Sequence, residues 1–256
     1  MDNFLKTAIE AVKEAGNIML ERSGHPGKID FKGRINLVTE VDLLCEKKII
    51  TVIKDNYPDH SILAEEQGET LASSTFKWII DPIDGTTNFA HDFPLYCSSI
   101  ALEIKGDIQI GTVYVPVLDE LFIAQKGKGA SLNGNKIHVS KTDTLRASML
   151  ATGFAYDVHE TEMDNVNHFK NFLKQARAVR RPGSAAIDLC YVAAGRFDGF
   201  WELNLHPWDV AAGVLLIQEA GGNVTGMAGE NYSIYSNNIL ASNGLIHRNM
   251  VNVLGL

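Results

Sequence analysis

Residues 78–89 read Trp78-Ile79-Ile80-Asp81-Pro82-Ile83-Asp84-Gly85-Thr86-Thr87-Asn88-Phe89, an apolar run that leads directly into an acidic turn. The run from Lys77 to Ile80 predicts the end of a buried strand. Pro82 has no N–H to donate to a strand ladder, so we expect the chain to turn there and Gly85 to open a helix. The stretch therefore predicts a strand, an acidic turn and a helix in succession.

This turn has the groups to bind both a cation and an anion. Asp81 and Asp84 carry oxygen ligands of the kind that Mg²⁺ prefers. The N–H groups of Gly85, Thr86 and Thr87 would point out of the helix N-terminus, where phosphate binds well. A turn with a capping aspartate explains the same residues equally well. A covalent aspartyl nucleophile in an Asp-x-Asp-Gly-Thr pattern fits less well, because the two acids here are one residue further apart.

Composition narrows the class of protein. The 256 residues, 45% of them hydrophobic, are enough for one domain or for two closely packed ones. The net charge of −8 argues against direct nucleic-acid binding. A basic cluster at Arg177, Arg180 and Arg181 could hold an anion or a partner, or could be a solvated helix end.

Cysteines and apolar segments indicate the compartment. Cys45, Cys97 and Cys190 lack zinc-site spacing, and their odd number argues against a disulfide framework. The first residues have no basic leader before an apolar region, so no signal peptide is predicted. The longest strongly apolar stretch, around 210–217, is too short to span a bilayer. We therefore expect a cytoplasmic protein without membrane contact.

Hydrophobic spacing predicts the order of the elements. Apolar residues recur at helical intervals before Gly24 and Pro26, and again after Thr39, where Asp42 would complete a capping box. Further helices are predicted over 162–175, 185–194 and 209–219, and strands over 61–64, 98–104, 108–115, 121–124, 199–203 and 238–241. The pattern changes near residue 142, which predicts halves 1–141 and 142–256, packed as one rigid unit with the site between them.

Acidic residues occur at three edges of predicted elements. Glu65 follows a strand, Asp81 and Asp84 follow another, and Asp209 opens a helix. Carboxylates brought together repel one another, which raises their pKa values, and two or three Mg²⁺ ions would relieve that repulsion. Asp209 alone could equally be an N-cap. Glu66 is expected at the surface or behind Glu65.

Three motifs resemble the signatures of the inositol monophosphatase family: Ala64-Glu65-Glu66, Trp78 to Asn88, and Trp208-Asp209-Val210-Ala211-Ala212-Gly213. Segments 180–189 and 195–202 resemble its bacterial inositol-1-monophosphatase branch in particular. The resemblance implies an α/β (α+β) fold, a layered α-β-α-β-α sandwich of the sugar-phosphatase type. It implies a phosphatase that hydrolyses myo-inositol monophosphates or similar small polyol phosphates by in-line attack of a metal-activated water.

The resemblance also implies residue roles. The first Mg²⁺ would lie among Glu65, Asp81, the Ile83 carbonyl and Thr86, the second among Asp81, Asp84 and Asp209, and a weaker third beside Glu65. Catalysis would rest on Glu65 and on a Thr86–Asp42 pair that orients and deprotonates water, unless Asp42 only caps its helix. The phosphate would bind the N–H groups of Gly85 and Thr86. The substrate wall would comprise Asp84, Gly183, Ser184, Ala185, Glu202 and Asp209.

The family comparison leaves the substrate and the partners open. Members of the superfamily also cleave histidinol phosphate, fructose 1,6-bisphosphate and 3′-phosphoadenosine nucleotides, and histidinol phosphate is the hardest of these to exclude. Inhibition by Li⁺ and a homodimer are implied by resemblance alone. Some bacterial relatives also bind the transcription machinery, so the Arg177, Arg180 and Arg181 cluster could serve a regulatory role, with or without phosphatase activity.

Overall fold

A computed structural model describes residues 1–25, 27, 29–32, 36–155, 158 and 164–255. Its helices are α1 (Asp2–Arg22), α2 (Glu40–Asn56), α3 (Thr86–Ala90), α4 (Val166–Leu173), α5 (Ala185–Ala193), α6 (Pro207–Glu219) and α7 (His247–Leu254). Short 3₁₀ turns lie at Pro116–Leu118 and Leu145–Ala147. None of the described helices is both long enough and apolar enough to cross a bilayer.

The strands form two large sheets and a hairpin. They are β1 (Ile29–Lys32), β2 (Asn36–Thr39), β3 (Ser61–Ala64), β4 (Gly68–Thr70), β5 (Phe76–Asp84), β6 (Cys97–Ile104), β7 (Asp107–Val115), β8 (Glu120–Gln125), β9 (Gly129–Leu132), β10 (Asn135–Lys136), β11 (Met149–Thr152), β12 (Ala178–Arg180), β13 (Gly199–Leu203), β14 (Asn223–Thr225) and β15 (Asn238–Ser242). One sheet has the order β10-β9-β8-β7-β6-β5-β3-β4, the other β12-β11-β13-β15-β14, and β1 pairs with β2.

Three apolar clusters define five layers. Alternate residues of β5 face opposite sides of the larger sheet, since Trp78 and Ile80 pack on α1 and α2 while Ile79 packs on α5 and α6. The other side of α5 and α6 meets the smaller sheet at Phe200 and Ala241. The outer face of that sheet packs on α4 and α7, for example Trp201 against Phe172. The predicted layered α-β-α-β-α sandwich is confirmed.

The prediction that the chain turns at Pro82 is wrong. β5 continues to Asp84, although its register with β6 shifts between Asp81 and Asp84. The pairing of β5 with β3 ends at Ile80, so Pro82 lies where one side of the strand has no ladder partner that needs its N–H. The irregular C-terminal end of β5 therefore carries Asp81 and Asp84, where the ladder with β3 has already ended.

The bounds of helices and strands differ in places from those predicted from the sequence. The predicted helix over 162–175 is shorter, Val166–Leu173, and its expected start at 162 and 163 lies outside the described residues. The helical stop at Pro26 lies outside them too. The hairpin β1–β2 was not predicted. Cys45, Cys97 and Cys190 are buried and unpaired, as expected.

Candidate active site

A cavity of about 450 Å³ lies where the irregular end of β5 meets the first turns of α5 and α6. It has the size of a small-molecule site. Nearly all the predicted site residues line it: Glu65, Asp81, Ile83, Asp84, Gly85, Thr86, Gly183, Ser184, Ala185, Glu202 and Asp209. Asp42 stands behind Thr86. Residues far apart in sequence are thus brought to one cavity.

Asp42 divides its two carboxylate oxygens between two tasks. Its Oδ2 accepts hydrogen bonds from the N–H (2.8 Å) and the hydroxyl (2.5 Å) of Thr39, which completes a capping box on α2. Its Oδ1 accepts from the Thr86 hydroxyl at 2.9 Å. The two readings of Asp42, a cap or a partner of Thr86, are therefore compatible. The cap fixes the carboxylate that Thr86 contacts.

The Thr86 hydroxyl has two acceptors within reach. Its Oγ1 lies 2.9 Å from Asp42 Oδ1 and 3.0 Å from the Ile83 carbonyl oxygen. One hydroxyl carries one hydrogen, and an ionised carboxylate is the stronger acceptor. Donation to Asp42 leaves the Thr86 oxygen lone pairs free to accept a hydrogen, and it leaves the Ile83 carbonyl free to bind a cation.

Asp84 joins β5 to the first turn of α5. Its Oδ2 accepts from the Ser184 hydroxyl at 2.7 Å and from the N–H of Ala186 at 2.6 Å. Ser184 is also the N-cap of α5, since its hydroxyl accepts from the N–H of Ile187. The first turn of α5 and Asp84 therefore hold each other in place, and the partial positive charge of the helix end favours the carboxylate.

Asp209 caps its own helix, although not as the N-cap. α6 begins at Pro207, and the Oδ2 of Asp209 accepts from the N–H of His206 at 2.6 Å. Asp209 thus occupies the third position of α6, as Asp42 does in α2. In both helices the capping-box acid at the third position is also a predicted site residue, Asp42 in α2 and Asp209 in α6.

Burial raises the pKa values of Asp81, Asp84 and Asp209, and the charges of neighbouring carboxylates raise those of Asp81 and Asp209 further. Burial is the largest cause for Asp81, followed by the charges of Glu65, Asp84 and Asp209. Burial likewise raises the pKa of Asp84 to about 6 and raises that of Asp209 well above its usual range. Asp81 Oδ1 is buried without a hydrogen-bond partner among the described residues. A divalent cation would satisfy that oxygen and relieve the repulsion.

The carboxylate and carbonyl oxygens of the cavity suit a hard cation, although they are not yet arranged as a complete set of metal ligands. Across the described ranges, no three acidic, histidine or cysteine side chains are close enough together to hold a metal ion as they stand. One oxygen of Asp84 and one of Asp209 are turned to protein donors. The carboxylate and carbonyl oxygens nonetheless line the same cavity, and oxygen is the ligand that Mg²⁺ requires.

Glu46 supports the turn that carries Glu65, and sequence reasoning did not identify it. It lies buried in α2, and its two carboxylate oxygens accept from the N–H groups of Glu66 (2.8 Å) and Gln67 (3.0 Å). The prediction that Glu66 lies at the surface or behind Glu65 was therefore incomplete, since its backbone anchors the turn. A long-range contact of this kind leaves no local pattern in a sequence.

The cavity is also lined by residues to which sequence reasoning gave no role there. They are Gly153, Phe154, Arg181, Asp188 and Trp208. Arg181 faces the cavity, so the basic cluster is not simply a solvated helix end. Trp78 is a buried core residue, whereas Trp208 stacks on His206 beside the cavity. Arg181 and Asp188 belong to the 180–189 motif, which was the available signal.

Comparison with known proteins identifies relatives along the whole chain. A model of the inositol monophosphatase family matches residues 1–254. An inositol-1-monophosphatase of Synechocystis is 44% identical over 256 residues, which cover 99% of this chain and 89% of that protein. A putative Nus factor SuhB of Neisseria meningitidis is 42% identical over 258 residues, with coverage of 99% and 98%.

A solved structure agrees with the described fold. The inositol monophosphatase of Anabaena (Nostoc) superposes with a TM-score of 0.91 at 43% identity, over 99% of this chain and 96% of that one. The resemblance found in the motifs is thereby confirmed over the full length. The chain belongs to the inositol monophosphatase family and is a phosphoric monoester hydrolase.

Proposed function

We propose that this phosphatase depends on Mg²⁺ and hydrolyses myo-inositol monophosphates or similar small polyol phosphates. One observation carries the proposal: Asp81, with a buried unpartnered oxygen, lies among Glu65, Asp84 and Asp209 in a cavity that Glu202 also lines. The group around Asp81 suits cations and a phosphate. Glu202 offers a carboxyl group to hydroxyl groups.

The cation-binding residues follow from this arrangement. Glu65, Asp81, the Ile83 carbonyl and Thr86 would hold one Mg²⁺, and Asp81, Asp84 and Asp209 a second, with Glu65 beside a weaker third. Bound Mg²⁺ would offset the negative charge of the phosphate and lower the pKa of water.

The Thr86–Asp42 pair would handle the proton of the attacking water. Thr86 donates its hydroxyl hydrogen to Asp42, so its oxygen can accept a hydrogen from water. As the water oxygen forms its bond to phosphorus, that proton passes to Thr86 and the Thr86 proton passes to Asp42. The bond from phosphorus to the polyol oxygen breaks on the opposite side, the leaving oxygen takes a proton from a second water molecule, and Asp42 returns its proton to solvent.

Backbone groups and helix ends would hold the substrate. Gly85 and Thr86 line the cavity, and their N–H groups would hold the phosphate, together with the first turns of α5 and α6, whose residues also line it. Gly85 has a φ of 96°, and a Cβ there would lie 2.9 Å from the Leu95 carbonyl oxygen, so only glycine fits. Glu202, Asp84 and Ala185 would contact the polyol.

Phosphate release from a panel of esters tests this proposal. We expect Mg²⁺-dependent release from inositol 1-phosphate that is lost in Asp84→Asn and kept in Asp59→Asn, a matched exchange at an exposed position. Release without added Mg²⁺ after chelation would contradict the metal dependence. A preference for histidinol phosphate or fructose 1,6-bisphosphate would keep the site and replace the substrate.

A second function has support from the relatives alone. The Neisseria relative is named a putative Nus factor, so we propose a binding role in transcription alongside catalysis. Arg177 and Arg180 are exposed and would form the contact. Pull-down with Asp81→Asn separates the roles, because an inactive protein should still capture its partner, whereas Arg177→Ser with Arg180→Ser should not. Absence of any partner would refute this role.

A further inference from the structure

Asp188 is a buried acid in the cavity that the proposed mechanism does not use. Its side chain is 1% exposed, and Oδ1 has no hydrogen-bond partner among the described residues. A buried carboxyl oxygen without a donor costs stability, and a bound ligand that donates a hydrogen bond would offset that cost. Asp188 lines the cavity, so a bound ligand can reach it.

The position of Asp188 on α5 directs it toward the substrate wall. Ser184, Ala185 and Asp188 all line the cavity, and residues three and four apart lie on one face of a helix. Burial and the charge of Glu202 are the two largest causes that raise the pKa of Asp188. Asp188 on α5 and Glu202 on β13 both line the cavity.

The space that the Glu202 carboxyl group occupies is kept open by a glycine. A Cβ at Gly153 would overlap the carboxylate of Glu202, so a side chain there would displace Glu202. Arg181 lies close enough to lower the pKa values of both acids, and it also lines the cavity. Two carboxyl groups and one guanidinium thus line the same cavity.

We propose that Asp188 belongs to the wall that contacts the substrate polyol, beside the residues already assigned to it, and that Asp188 determines specificity for hydroxylated rings. The inference rests on the proposed phosphatase function and names what that wall recognises. A substrate hydroxyl can donate a hydrogen bond to Asp188 Oδ1, which has no donor among the described residues, and can accept one from a neighbouring donor. Arg181 already supplies a positive charge there, which disfavours a second cation such as an ammonium group.

Two esters that differ only in their hydroxyl groups test this role of Asp188. Inositol 1-phosphate and cyclohexyl phosphate share a six-membered ring, and only the first can donate to Asp188. In Asp188→Ala we expect kcat/KM to fall about 10-fold to 100-fold for inositol 1-phosphate and less than about twofold for cyclohexyl phosphate. Asp188→Asn keeps the shape and should give a smaller loss on the same ester.

Measurements of the unfolding temperature and of activation by Mg²⁺ distinguish a substrate-binding role of Asp188 from a structural one. Because Asp188 Oδ1 is unpartnered, Asp188→Ala and Asp188→Asn should unfold at the same temperature as the wild type or higher, with an unchanged Mg²⁺ concentration for half-maximal activity. Equal losses of kcat/KM on both esters would overturn the assignment. A lowered unfolding temperature that accompanies the losses would overturn it too. A larger loss on histidinol phosphate than on inositol 1-phosphate would overturn the hydroxyl preference.

Failure of the proposed function has a distinct result. If the wild-type protein hydrolyses neither ester, the phosphatase assignment to polyol phosphates falls. Calorimetric binding of both esters in Mg²⁺ then tests Asp188 by itself. Tighter binding of inositol 1-phosphate that is lost in Asp188→Asn supports this role, and equal binding of both esters refutes it.

Discussion

Asp42 accepts a hydrogen bond from Thr86 across 44 residues of sequence, at 2.9 Å from Oδ1 to Oγ1, while its other oxygen caps α2. The N-terminus of a helix thereby anchors a carboxylate that is in contact with the end of β5. Because both carboxylate oxygens are engaged, the position of the Thr86 hydroxyl is set by α2 as well as by its own short helix.

Replacing Thr86 by valine removes the hydroxyl and keeps the shape. Because Thr86 would relay a proton from water, we expect kcat to fall on the order of 10²-fold to 10⁴-fold. Thr86→Ser is the matched control and should keep most of the activity. Steady-state kinetics with inositol 1-phosphate measures both, and a wild-type kcat in Thr86→Val would exclude the relay.

Glu46→Gln tests the support of the Glu65 turn. A glutamine has one acceptor oxygen, so one of the N–H groups of Glu66 and Gln67 would lose its partner. We expect the apparent Mg²⁺ affinity to fall about 10-fold to 100-fold, since groups behind metal ligands commonly have effects of that size. Mg²⁺ titration of activity measures it. An unchanged half-saturating concentration would show that Glu65 holds its position without Glu46.

Stability should depend on pH and Mg²⁺ together. The raised pKa values of Asp81, Asp84 and Asp209 mean that the metal-free folded state binds protons that the unfolded state has released. This stability is complete below the unfolded pKa of about 4 and is lost as pH rises through the folded values, about 6 for Asp84. The increase in Tm on adding Mg²⁺ should therefore grow with pH.

Calorimetry at about pH 5 and about pH 8, with Mg²⁺ and with chelator, measures that linkage. Asp84→Asn is the control, since it removes one of the acids and should flatten the dependence. The same Mg²⁺-induced increase in Tm at both pH values would mean that these acids do not provide the cation site.

Gly111→Ala tests the contact between α6 and the larger sheet. A Cβ at Gly111 in β7 would lie 2.8 Å from the Ala212 carbonyl oxygen and 2.9 Å from its Cα. Backbone cannot move aside as a side chain can, so we expect a loss of about 1–3 kcal/mol in the free energy of unfolding. Activity should fall too, because α6 carries Asp209. Urea denaturation and kinetics measure both effects, and a wild-type unfolding midpoint would show that α6 shifts without cost.

Local patterns predicted much of this molecule. The Thr39–Asp42 capping box, the strand at Ser61–Ala64 and the helices α5 and α6 follow from spacing that neighbouring residues dictate. The acids Glu65, Asp81 and Asp209 were identifiable because each lies at the end of an element. The passage of β5 through Pro82 was not predictable, since it depends on where the neighbouring strand ends.

The sequence by itself determined the family, most of the longer helices and strands, and the acids Glu65, Asp81, Asp84 and Asp209, because those properties are carried by contiguous motifs. Only the tertiary structure decided that Asp42 serves Thr86 and its own helix together, that Glu46 holds the Glu65 turn, and that Asp188 and Glu202 line one cavity. Each of these relationships joins residues on separate elements. Their distances depend on how helices and sheets pack, which no local spacing encodes.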